Sequence, residues 1–166
     1  MTLVGATAGL ADLEERAARV AADEALADRI EREGLEAFVD HWMALPIFAS
    51  QSKLGDAFLA RARAERMRQR PRGLANSLRG MGSGAQSPIW DRLDRVEVPT
   101  LLVVGGLDAK FQALAERLEG ALPDARTAIV DGVGHAAHLE DADAFGDLLR
   151  AFVEVVDAGA NEGAAG

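Results

Sequence analysis

The 166-residue chain contains no cysteine. A disulfide framework and a thiolate metal site are therefore both excluded. Three histidines are too few for a histidine-rich metal site, and no metal is expected. No apolar run approaches the length that crosses a bilayer, and the first residues lack the basic-then-apolar pattern of a secretion signal. Positive charge is also scarce: 18 Lys and Arg stand against 27 Asp and Glu, a formal net charge of −9. Phosphate backbones need a basic face, so this balance argues against a nucleic-acid partner. No Gly-x-Gly-x-x-Gly turn follows a strand, and no cofactor is expected. A soluble cytoplasmic protein with no membrane partner is the expectation.

What is present is ordinary globular composition, with 49% hydrophobic residues and enough chain for one real core. Residues 1–11 read as a short strand, "TLVGATAGL", that runs into a loop. Residues 12–88 read as a helical region. Its first helix, 12–33, carries Leu13, Ala17, Val20, Ala21, Leu26 and Ile30 at helical spacing, with Asp12 as N-cap. "LEAFVDHWMAL" is a second helix stopped by Pro46, "IFASQS" a loop, 53–70 a third helix closed by "RPRG", and "LANSLRGM" a fourth. Residues 89–157 change pattern. "TLLVVGG" is a continuous apolar, β-branched run, as in a strand buried on both faces. A helix, a second strand "ARTAIVDG" and a closing amphipathic helix follow, which is the signature of a parallel sheet. Residues 158–166, small and polar, are expected to be a disordered tail.

Ligands meet parallel sheets at the carboxyl ends of the strands. Asp108 falls just past "LLVVGG", and His135 just past "TAIVDGVG". Adjacent parallel strands lie about 4.8 Å apart, so loops from their ends can touch. An aspartate beside a histidine fixes the imidazole tautomer and stabilises the imidazolium formed on proton uptake. The order Asp then His is that of the last two members of a Ser–Asp–His triad in the α/β-hydrolases. Taken singly, Asp108 could be a helix N-cap and His135 a surface residue; it is the pair, with its glycines, that points to catalysis. No Gly-x-Ser-x-Gly occurs in the chain. Ser83 has helix before it and Pro88 soon after, and does not fit a nucleophile turn.

These residues resemble the C-terminal part of α/β-hydrolases. The segments "EERAAR", "HWMALPIFAS", "GLANSLRGMGSGAQSPIWDRL" and "LDAKF" narrow the resemblance to the 2-succinyl-6-hydroxy-2,4-cyclohexadiene-1-carboxylate synthases of menaquinone biosynthesis. The resemblance runs from "LVGATAGL" to about Phe152. It implies a partial α/β-hydrolase fold, a helical cap followed by the last strands and helices of a parallel sheet, with the serine-bearing first half of the sheet outside the resemblance. It implies a lyase that eliminates pyruvate from a polyanionic carboxylate substrate, with the triad as proton-abstracting base. His135 would then hold the serine basic and Asp108 would orient His135. Arg19 and Arg66 match substrate arginines, Trp42 a cap aromatic at the pocket, and Phe48 a neighbour beside it. Arg19 can equally pair with Glu15, and Trp42 can equally be cap core. Two other readings stand beside the lyase: a hydrolase of ester or C–C bonds, and an inactive remnant. A sheet without its first half would leave "TLLVVGG" uncovered on one side, so self-association through an open edge, or pairing with a missing N-terminal half, is expected.

Overall fold

The computed structural model describes residues 1–164, with side chains to 159. The chain falls into two compact units, one formed by Met1–Thr7 with the chain from Arg92 onward, the other by Ala8–Asp91. The sequence pattern places those divisions a few residues away, at 12 and 88.

The first unit is built on three parallel strands, β1 (Thr2–Val4), β2 (Thr100–Gly105) and β3 (Ala125–Val130), in the order β1-β2-β3. β2 is buried along its whole length because it has a strand on each side: Thr2 registers with Leu101 and Val4 with Val103, and Thr100 through Gly105 pair with Ala125 through Val130. This corrects the expectation that "TLLVVGG" lacks a neighbour. The open edges among the described residues belong to β1 and β3. Helix α5 (Ala109–Glu119) crosses from β2 to β3 and packs on both. A four-residue helix, α6 (Ala137–Glu140), and α7 (Ala142–Ala164) close the unit. Side chains alternate across a strand. Leu101 and Val103 therefore share one face, where they join Val130, Val133, Ala137 and Phe152 in the core under α7. α7 continues to Ala164, so the tail expected to be disordered from 158 is helical to that point: "GANEGA" extends a helix already formed. Residues 165 and 166 lie outside the described residues.

The second unit holds α1 (Leu13–Glu33), α2 (Leu35–Met43), α3 (Asp56–Arg66) and α4 (Pro71–Met81). Asp12 caps α1 by accepting from the Glu15 amide at 2.8 Å, the arrangement its sequence position requires. The stripe that α1 buries is Asp23, Ala27 and Ile30, not the longer apolar series from Leu13. α4 packs on α1, with Ala75 fully buried, while Leu13 is 76% exposed. "IFASQS" is not a loop: Pro46 opens a 3-10 helix through Leu54. "RPRG" does not close α3 either, since Pro71 stands in the first turn of α4, where a missing N–H costs nothing. Two arginines tie the helices together. Arg79 of α4 meets Glu24, Asp28 and Glu31 of α1, and Arg63 of α3 meets Asp40 and Glu36 of α2. Each guanidinium is held above its ordinary pKa, Arg79 by hydrogen bonds to Glu31 and Glu24 and Arg63 by those to Asp40 and Glu36.

Candidate active site

The site in the α/β unit is assembled by two loops, one after β2 and one after β3. They are tied by backbone: the Gly106 amide donates to Val130 O at 2.8 Å and the Leu107 amide to Val133 O at 2.9 Å. The loops come so close that a Cβ on Gly105 would lie 2.0 Å from Gly134 O. Only glycine allows that approach. Gln112 adds a clamp from the first turn of α5, its side-chain nitrogen donating to the carbonyls of Gly105 and Gly106 at 3.1 and 3.0 Å.

This scaffold brings Asp108 and His135 together. Asp108 Oδ2 lies 2.8 Å from His135 Nδ1. The other oxygen, Oδ1, accepts from the Phe111 amide at 3.3 Å and caps α5. The two readings of Asp108, cap and partner of histidine, are thus both satisfied by one carboxylate. Its side chain is 10% exposed and that of His135 25%. The imidazole lies against Gly5, where a Cβ would fall 2.8 Å from Cε1, and its centroid is 4.4 Å from the Phe111 ring. A neutral imidazole that donates Nδ1–H to a carboxylate carries its lone pair on Nε2. The group is then an oriented base, and the carboxylate stabilises the cation formed on proton uptake.

Glu140 is the part of this site that the sequence pattern does not announce. Its carboxylate accepts from the amides of Gly134 at 2.8 Å and Ala136 at 3.3 Å, on either side of His135. A carboxylate gripping backbone amides four and six residues upstream has no spacing signature, though its position in "GHAAHLE" puts it within reach. His138 lies edge-on to Phe145, 6.0 Å between centroids, and ties α6 to α7.

In the helical unit, Trp42 and Arg66 line one pocket of about 250 Å³ with Phe38, Val39, Gln69 and Leu74. Trp42 sits between Phe38 and Phe48, with centroids at 5.6 and 5.8 Å. Three of the four residues singled out as substrate contacts are therefore neighbours. Arg66 donates through Nη1 to Ala62 O in its own helix. Arg19 is apart from that pocket's lining. It pairs with Asp23, four residues later, rather than with Glu15.

Parallel strands with a histidine–aspartate pair at their carboxyl ends define the class. Residues 2–148 match the Alpha/beta hydrolase family, and the chain belongs to it. Within that class, the chain is 33% identical over 149 residues to the 2-succinyl-6-hydroxy-2,4-cyclohexadiene-1-carboxylate synthase of Serratia proteamaculans (strain 568), covering 90% of this chain and 55% of the relative. It is 42% identical over 153 residues to a Bacillus subtilis (strain 168) protein provisionally named for the same activity, covering 92% and 56%. It superposes on the structure of MenH from S. aureus with a TM-score of 0.92 at 30% identity, over 94% of this chain and 59% of that one. The chain spans just over half the length of these relatives. No described helix is long and apolar enough to cross a membrane.

Proposed function

We propose that these residues form the helical cap and the histidine-bearing part of a lyase that eliminates pyruvate from a succinyl-cyclohexene carboxylate in menaquinone biosynthesis. The observation that carries the reading is the 2.8 Å contact of His135 Nδ1 with Asp108 Oδ2, at the ends of adjacent parallel strands. Similarity to named synthases supports the substrate class. Asp108 holds the imidazole, His135 receives the proton taken from the substrate through a serine, and pyruvate leaves. The chain contains no Gly-x-Ser-x-Gly turn, so the proposal assigns the serine to polypeptide other than these 166 residues. The open edge of β1 is where that polypeptide would pair. Arg19 and Arg66 would bind substrate carboxylates, since guanidinium matches a carboxylate in a two-point fork. Trp42 and Phe48 would supply the apolar wall. The proposal needs no cofactor or metal.

The test is to isolate from its host the polypeptide that carries these residues and to assay it on the succinyl-enolpyruvyl-cyclohexene substrate and on simple aryl esters. Its intact mass shows whether the serine lies in the same polypeptide. Pyruvate release, falling at least about 10³-fold in His135→Ala, is expected. Ester hydrolysis without pyruvate release would replace the lyase with a hydrolase. Activity on neither would leave an inactive remnant.

A further inference from the structure

The helical unit buries a carboxylate that packing does not require. Asp23, in the middle of α1, is 4% exposed. Its Oδ1 accepts from Arg19 Nε at 2.9 Å. Its Oδ2 is sealed from solvent and has no hydrogen-bond partner among the described residues. That oxygen lies against Gly82, where a Cβ would come within 2.3 Å of it. A buried, half-satisfied carboxylate is costly. Pairing it with an arginine that stays 45% exposed returns little stability. An Arg–acid pair placed only to support α1 sits on the outer face, as Arg29 and Glu33 do, with side chains 39% and 37% exposed. Asp23 is turned inward instead, and grips a surface arginine by one nitrogen.

We propose that Asp23 is a positioning residue for Arg19, fixing its guanidinium so that the two terminal nitrogens present a fork to a small di- or tricarboxylate. This rests on the reading of Arg19 as a carboxylate-binding residue and says how it is made ready. A guanidinium has five N–H donors in one plane. Nε uses one of them on Asp23, and the other four have no partner among the described residues. The bond at Nε sets the plane and leaves the end-on pair of nitrogens for the ligand. Ordering a long side chain costs entropy, and here that cost is met on folding rather than on binding. The other ion-paired arginines differ. Arg63 and Arg79 engage carboxylates through both Nε and Nη2, so their forks are occupied. Arg29 is gripped at Nε by an exposed glutamate that Arg32 shares.

The test uses the full chain, succinate as the probe, and the NMR signal of the Arg19 Nε–H. In the wild type this proton should exchange more slowly than that of Arg61, whose guanidinium lies over the Phe58 ring, and should shift saturably with succinate. Asp23→Asn should make it exchange as Arg61 does and weaken succinate about tenfold, with an unchanged melting temperature. Arg19→Gln should abolish binding. If Arg19 exchanges as fast as Arg61 in the wild type, or if Asp23→Asn binds succinate normally while Arg19→Gln does not, Asp23 has no positioning role and the reading of Arg19 survives. A loss of binding that accompanies a lowered melting temperature makes Asp23 structural and also overturns the proposal. No saturable shift at Arg19 in the wild type overturns the reading of Arg19 itself, and the positioning role with it.

Discussion

The α/β unit and the helical unit hold their candidate residues by different means. In the α/β unit the positions of Asp108 and His135 are written into the backbone. Two loops exchange amide–carbonyl bonds, Gly105 meets Gly134, and Glu140 holds the amides on either side of His135. In the helical unit Arg19 and Arg66 are held by side-chain reach, one by Asp23 and the other by a carbonyl of its own helix. The lesson is one of tolerance. A base that must meet a proton within a few tenths of an ångström needs a backbone-fixed seat, whereas a carboxylate fork works over a wider range of geometry.

The sharpest way to break this contrast is at its closest approach. Gly105→Ala puts a methyl 2.0 Å from Gly134 O, and a urea melt should show a loss of about 3 kcal/mol. Near-wild-type stability would mean that the loops are not locked. Leu102→Ala in β2 and Ile30→Ala in α1 remove side chains that are fully buried in their respective units. Each should cost about 3 kcal/mol by the same melt, and a negligible loss at either would deny that unit its own core. Asp12→Ala removes only a cap bond and should cost about 1 kcal/mol. Asp108→Ala, which removes a cap bond of the same kind, should also free the His135 ring, visible as loss of its contact with Phe111 in NMR. The smallest effect belongs to Glu33. Hydrogen bonds from Arg29 and Arg32 hold its carboxyl below the usual 4.5. A lowered folded-state pKa gives stability that is present above about pH 4.5 and lost as the pH falls through the folded value. Glu33→Gln should flatten that acid limb slightly, and a steeper limb would contradict the assignment.

Much of this arrangement is legible in the residues. β2 and β3 announce themselves by apolar β-branched runs, and α1 by its cap. The pairing of Asp108 with His135 follows from two strand ends in a parallel sheet. The prolines misled for a physical reason: Pro46 and Pro71 end one helix and are equally good at the first turn of the next. The apolar series of α1 misled because helical spacing names a face without naming what packs on it. α1 packs on α4 and α2, burying Asp23, Ala27 and Ile30 and leaving Leu13 in solvent. Glu140 stayed hidden because its partners, backbone amides, leave no periodic trace. Asp23 stands four residues after Arg19, but that spacing does not tell that its carboxylate is buried against Gly82.

The measurement that bears most directly on the account is steady-state kinetics of the proposed pyruvate release by the host polypeptide carrying Asp108→Asn, beside Arg66→Ala and Trp42→Ala. Asparagine keeps the shape of Asp108 but not its charge. The account predicts that kcat falls about 10³- to 10⁴-fold with KM little changed, while the two changes in the helical unit act mainly on KM. A kcat for Asp108→Asn within a few-fold of wild type would contradict it, because the 2.8 Å contact with His135 would then have no part in the chemistry.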